Sequence, residues 1–195
     1  WWLDEPEAVR RLLPGMRSAL EAALACVDGE GLPSGLPGWL FVDWVDKPLW
    51  KHGLPSGQEE SLTAPVALHL PVALDAAAQV EDAYGEPAMA ARWRARSRES
   101  MRAILRAFYD HDRGCFRDDR EGQTYSEHSQ ALALATDSLP DELRPGLVAK
   151  LADPPGDWAK ATVYFSYHVH EALLLAGHTT EVFDRFAFWR ALPDQ

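Results

Sequence analysis

Two long helical stretches separated by only two residues constrain this chain most. Ser61 to Tyr84 is rich in alanine and leucine and stops at Gly85; a second stretch opens at Glu86 and Pro87 and carries Met89, Trp93, Met101, Ile104, Leu105 and Phe108 on one stripe. So short a link forces the second helix back along the first, and the run Ala76, Ala77, Ala78 lets the two approach closely. The pair is predicted to be an antiparallel hairpin with its alanine and leucine faces buried.

The remaining sequence repeats the pattern. Asp4 can cap a helix whose stripe is Val9, Leu12, Leu13, Met16, Leu20, Leu24 and Val27, kinked or broken at Pro14 and ended by Asp28-Gly29-Glu30-Gly31. Further helices are predicted over Ser126 to Asp137, Pro140 to Leu151, Lys160 to Ala176, and from Thr179 or Thr180 to Leu192. Tyr109 to Asp119 reads as a tight turn or small hairpin around Asp112-Arg113-Gly114. Seven helices, no long strand and connections of alternating length define an all-α class in which helical hairpins build a solenoid or a closed ring.

A chain of 195 residues suits one domain or a piece of a larger one, and its abrupt ends, Trp1-Trp2 and Leu192 to Gln195, lead us to expect an excerpt of a longer chain. Its 19 basic against 30 acidic side chains, a net charge of -11, argue against nucleic acid or an anionic membrane surface as partner and suit a neutral or cationic ligand. No apolar run approaches the roughly 20 residues of a membrane span. A homo-oligomer is compatible with this composition, and the compartment, cytoplasmic or secreted, is left open. Cys26 and Cys115 lack metal-ligand spacing and read as buried free thiols.

Residues 31–60 do not read as an ordinary connection. Three of the eight tryptophans, Trp39, Trp44 and Trp50, stand there beside Asp43, Asp46, Glu59 and Glu60. Indole faces stack on the apolar face of a sugar while carboxylates accept its hydroxyl hydrogens, so these residues form a candidate carbohydrate surface. The alternative is that the rings plug the end of a helical core and Asp43 caps a turn. At Tyr125-Ser126-Glu127-His128-Ser129-Gln130, Ser126 is either a helix cap with Glu127 in the first turn, or part of a polar cluster facing a ligand. The arginines at 92, 94, 96, 98 and 102 read as a solvated helix face. Asp110, His111, Asp112, Asp118 and Asp119 lack the glutamate of a calcium loop, His168 and His170 are wrongly spaced for a helical zinc pair, and no metal or cofactor is expected. Packing is the default role for Tyr164, Tyr167, His168, His170 and Glu171. Serine-elbow, phosphate-loop and dinucleotide signatures do not occur in the sequence.

The serial order of these features is similar to that of bacterial α-L-rhamnosidases. The matching segments are the D-x-x-G-L turn, Gly38 to Trp44, Gly57-Gln58-Glu59, Phe108 to Asp110 with Gly114 to Asp118, His128 to Leu134, and Thr162 to Phe165 with Glu171 to Leu173 and Gly177. The resemblance covers nearly the whole chain. It implies part of an (α/α)6 toroid and an inverting glycoside hydrolase that uses two carboxylates. In that family the general acid precedes, and the general base follows, the segments matched here, so both are expected outside residues 1–195. Asp43 and Trp44 carry over as pocket residues, followed by Trp39, Trp50, Glu59 and Glu127. Two rivals remain: another six-hairpin sugar enzyme of the trehalase, glucoamylase or polysaccharide-lyase kind, and a noncatalytic helical carbohydrate-binding or interaction module.

Overall fold

The computed structural model describes residues 5–48, 50–55, 62–120 and 124–191, the side chains of 188–191 excepted. Among them are seven helices: α1 (Pro6–Ala25), α2 (Ala64–Tyr84), α3 (Pro87–Phe108), α4 (Glu127–Leu134), α5 (Arg144–Ala152), α6 (Ser166–Leu175) and α7 (Thr179–Ala191). The only strands among the described residues are two-residue pairs, β1 (Trp50–Lys51) with β2 (Leu54–Pro55) and β3 (Tyr109–Asp110) with β4 (Cys115–Phe116). The all-helical expectation holds. Among the described residues no helix is long and apolar enough to cross a membrane.

α2 and α3 are antiparallel, as the two-residue link requires. Arg94 pairs with Asp82 near the link, Ser97 Oγ donates to the Pro71 carbonyl further along (3.2 Å), and Ile104 and Phe108 reach Ala64, Ala67 and Leu68 at the far end. Fully buried Trp93 fills the wedge between α2 and α1 with Leu20, Leu70, Leu74, Ala77 and Ala78. A ring of that size contributes several times what an aliphatic methylene does, at about 0.8 kcal/mol per buried CH2. The arginine face of α3 is tied by exposed pairs, Arg92 with Glu21 and Arg96 with Glu99.

α2 and α6 flank α4, while α3, α5 and α7 lie behind them, so α2, α4 and α6 form an inner layer and their partners an outer one. All eight residues of α4 are buried. That is unusual for a segment reading EHSQALAL, and it is tolerated because every polar side chain is bonded to a different part of the chain.

Several boundaries differ from the sequence reading. α1 runs unbroken through Pro14. α6 starts at Ser166 rather than Lys160 because the preceding backbone donors are engaged elsewhere: Ala159 N–H on the Tyr125 carbonyl (2.8 Å), Ala161 N–H on Glu127 Oε2 (2.9 Å) and Thr162 N–H on Asp43 Oδ2 (2.8 Å). α4 stops at Leu134 rather than continuing to Asp137, because Asp75 of α2 takes the Asp137 N–H and the Thr136 hydroxyl. Residues 140–143 form a turn before α5. Asp4 and Ser61, expected at helix starts, lie outside the described residues. The predicted hairpin at Tyr109 to Asp119 is present as β3 and β4, with Asp110 Oδ1 accepting the Asp112 and Arg113 N–H groups. Cys115 is buried, Cys26 half-buried, and both are free.

Candidate functional site

The starts of the inner helices converge at one end of the layer. The first amide of α2, Ala64 N–H, donates to the Asp118 carbonyl (2.8 Å); Glu127 N–H, opening α4, donates to the Ala159 carbonyl (3.0 Å), beside the segment leading into α6. The long loop before α2 is laid across this end.

Asp43 anchors that loop. Its side chain is fully buried and receives four donors: His128 Nε2 of α4 (2.7 Å), the Thr162 N–H (2.8 Å), the Thr162 hydroxyl, and its neighbour Trp44 N–H (2.9 Å). Burial pushes the carboxyl upward, but the bonds from His128 and Thr162 outweigh it and hold it below the ordinary aspartate range. The carboxylate therefore stays charged, and its lone pairs are spent inside the protein.

Around this anchor the aromatic residues divide. Trp39 and Trp44 are exposed (63% and 64%), and their rings meet at 5.8 Å between centroids; Phe41 packs against both, at 5.3 and 5.2 Å. Tyr164, 70% exposed, joins from the segment before α6 with its ring 5.9 Å from Phe41. One ridge thus draws on two loops, and Asp43 ties them together, through its own neighbour Trp44 on one side and through Thr162, two residues from Tyr164, on the other. Trp50, grouped with the other two by the sequence, is buried (6%) and packs on His128 at 4.7 Å, beneath the ridge.

A two-residue turn sets the ridge's shape. His52 and Gly53 both have left-handed φ, 53° and 80°, and join β1 to β2 with Lys51 opposite Leu54, the arrangement whose twist matches a tight hairpin. The Gly53 carbonyl accepts the N–H groups of Val42 (2.9 Å) and Asp43 (3.2 Å), and the His52 carbonyl accepts Trp39 Nε1 (3.0 Å). A Cβ at Gly53 would stand 2.3 Å from the Phe41 ring.

Ser126 is not the side-chain cap considered from sequence. Its hydroxyl, with that of Ser129, donates to Asp118 Oδ1, while Gln130 bonds both backbone groups of Phe116. Glu127 is fully buried and bridges the Ala161 N–H and Arg185 of α7 (2.7 Å). It borders a cleft of about 590 Å3 between the 152–166 segment, α6 and α7, which Lys160, Ser166 and His170 also line. Asp118 Oδ2 is buried without a partner, and burial drives this carboxyl up to about 6. Glu59 lies outside the described residues. Among the described residues no group of three or more His, Cys, Asp or Glu is placed to hold a metal ion.

Sequence reasoning missed Phe41, Tyr164, Thr162 and the anchoring of His128. The His52-Gly53 pair between Trp50-Lys51 and Leu54-Pro55 was the one local signal available. The Asp43–His128 and Asp43–Thr162 bonds span 85 and 119 residues and leave no local trace.

An arc of antiparallel helix hairpins, with loop-borne aromatic rings at the starts of its inner helices, is consistent with a segment of a six-hairpin helical toroid. The chain belongs to the bacterial alpha-L-rhamnosidase six-hairpin glycosidase domain family, whose model matches residues 3–154. Among solved structures it is similar to a GH78 family rhamnosidase of Bacillus sp. GL1, with a TM-score of 0.82 at 22% identity over 97% of this chain and 20% of that one. It is also similar to a rhamnosidase from Klebsiella oxytoca with rhamnose bound, with a TM-score of 0.74 at 25% identity over 95% of this chain and 34% of that one. The chain thus spans between a fifth and about a third of these structures. No curated protein matches it.

Proposed function

We propose that residues 1–195 form the substrate-binding end of an incomplete (α/α)6 domain in a glycoside hydrolase that removes a terminal α-L-rhamnosyl or closely related residue with inversion. The observation that carries this reading is the exposed ridge of Trp39, Trp44 and Tyr164 at the starts of the inner helices, in a chain of this family. Such rings cover the apolar face of a sugar, and a 6-deoxy sugar adds a methyl group to that face. The related structure with rhamnose bound supports the sugar class.

In this reading Trp39 and Trp44 touch substrate, Asp43 positions them, Trp50 backs the ridge, and Glu127 braces the 160–163 segment. The catalytic acid and base lie outside these residues. Inverting hydrolysis needs one carboxyl free to donate a proton and another free to activate water; Asp43 and Glu127 are both committed to protein donors.

The full-length protein assayed on a panel of p-nitrophenyl glycosides should turn over the α-L-rhamnoside in preference to α-glucosides and β-glucuronides, while residues 1–195 alone should show little turnover. Preference for an α-glucoside would support a glucoamylase- or trehalase-like enzyme instead. Substantial turnover by residues 1–195 alone would place the acid and base within them.

A further inference from the structure

Tyr164 of the ridge sits in a segment strung between two fixed points. At one end Ala159 donates its N–H to the Tyr125 carbonyl (2.8 Å) and accepts the Glu127 N–H (3.0 Å); at the other, Phe165 is buried against His128 with ring centroids 4.3 Å apart. Between them Ala161, Thr162 and Val163 are only half-buried, and all three border the cleft of about 590 Å3 that reaches across to α7. Packing therefore supports them on one side only. Ser166 adds bonds from its N–H to the Thr162 carbonyl (2.9 Å) and from its hydroxyl to the Val163 carbonyl (2.8 Å), but these tie the segment to its own helix.

Two buried carboxylates hold it to the rest of the layer. Consecutive residues of α4 reach consecutive residues of the segment: Glu127 Oε2 accepts the Ala161 N–H (2.9 Å), and His128 holds Asp43, whose Oδ2 accepts the Thr162 N–H (2.8 Å). Asp43 has four donors, whereas Glu127, equally buried, has among the described residues the Ala161 N–H and Nη2 of Arg185 on α7 (2.7 Å). Arg185 is itself fixed, because the same nitrogen donates to the Leu151 carbonyl (3.0 Å). A carboxylate enclosed by protein needs a countercharge to stay where it is, and Arg185 supplies it. His170 on the same cleft does not: burial first, then Arg185, keep its pKa below the ordinary histidine range against the pull of Glu127, so the ring is neutral at pH 7.

Building on the glycosidase reading, we infer that Arg185 is a positioning residue for substrate: it aims Glu127 at Ala161 and so fixes the Tyr164 ring beside Trp39 and Trp44. Arg185 acts from the outer helix α7, through one side chain and three residues of chain. Asp43 pins the same segment at Thr162, one residue further along. With the Asp43 bond alone the segment can pivot toward the open cleft; with both, the place and tilt of Tyr164 against Phe41 (5.9 Å between centroids) are set. The effect belongs to sugar binding rather than to bond cleavage, since Tyr164 offers a face to the sugar and no proton to the reaction.

The test uses the full-length protein well below its melting temperature, with p-nitrophenyl α-L-rhamnoside kinetics and with hydrogen exchange of residues 159–165 read by mass spectrometry. Arg185→Met should raise KM by about 5–10-fold with kcat within about twofold, and Arg185→Lys, which keeps the countercharge, should recover most of the loss. In a Tyr164→Ala background the same Arg185→Met change should move KM by less than about twofold, a non-additivity that a purely stabilising residue does not produce. Exchange of the Ala161 and Thr162 amides should be about tenfold faster in Arg185→Met, without any substrate present. Glu127→Gln can accept from Ala161 or from Arg185 but not from both; it should shift both readouts in the same direction, and it carries the test if Arg185→Met does not fold. An unchanged KM in the folded variants would overturn the inference, as would a KM effect that persists undiminished without Tyr164. If the wild-type protein leaves the rhamnoside intact, the glycosidase reading falls instead, and the substrate-free exchange measurement tells the two failures apart.

Discussion

Asp43→Asn separates a positioning role for this residue from direct contact with substrate. The carboxylate accepts His128 Nε2 and the Thr162 N–H on Oδ2, and the Trp44 N–H and the Thr162 hydroxyl on Oδ1. The amide does best with its oxygen toward His128 and the Thr162 N–H, where both donors are fixed. Its NH2 then faces the Thr162 hydroxyl, which can turn to accept, and the Trp44 N–H, which cannot. One bond is lost and three charge-assisted bonds become neutral ones, a cost of about 2–4 kcal/mol. At about 2–4 °C per kcal/mol for a unit of this size, the thermal transition should fall by roughly 5–15 °C. Where the variant is still folded, sugar affinity should drop by less than about tenfold, because the rings proposed to touch sugar remain. Calorimetric melting and rhamnose titration of the full-length protein read both quantities. An unchanged melting temperature with binding abolished would refute the positioning role and place Asp43 on the sugar.

Other consequences follow from the same geometry. Trp44→Ala and Trp39→Ala remove largely exposed rings and should leave the melting temperature within a few degrees while weakening rhamnose binding by about tenfold or more, measured by titration. Gly53→Ala combines a left-handed φ with a contact on the Phe41 ring and should destabilise by about 1–3 kcal/mol in denaturant titration, with altered tryptophan emission from the displaced ridge. Arg185→Ala leaves the Glu127 carboxylate buried with one donor fewer and should cost about 3–5 kcal/mol by the same assay, more than Glu127→Gln. Asp118 has a folded pKa of about 6, above the unfolded value of about 3.9, so its protonated form stabilises the fold fully below pH ~4 and that contribution is lost as pH rises through 6. Asp43 has the opposite sign: its depressed folded value gives stability that is present above the ordinary aspartate range and lost only as pH falls through the lower folded value. Melting curves from pH 3 to 8 should therefore show a fall between pH 4 and 6 that Asp118→Asn removes.

The helices were legible because their signal is local. The 3.6-residue stripe of α3 and the two-residue link at Gly85 sufficed to place α2 and α3 antiparallel. The start of α6 was not legible, because residues 159–162 carry alanine and threonine compatible with a helix, while their amides are claimed by Tyr125, Glu127 and Asp43, up to 119 residues away. The same distance effect hid the site's organisation. Tryptophans beside an aspartate suggest a carbohydrate surface by residue type, yet which rings face outward depends on the turn at His52 and Gly53 and on the bond to Thr162. Trp50 and Trp44 look alike in sequence; β1 turns one inward onto His128, and the anchored loop leaves the other open. In α4 the polar residues suggested a helix cap or a ligand site, and each proved to bond a segment outside the helix, which sequence spacing cannot encode.

The most direct test is a crystal structure of the full-length protein with L-rhamnose. The sugar should lie with its apolar face on the Trp39–Trp44–Tyr164 ridge while the Asp43 carboxylate remains on His128 and Thr162. A rhamnose bound away from those rings, or one whose hydroxyls displace Thr162 or His128 from Asp43, would contradict the account.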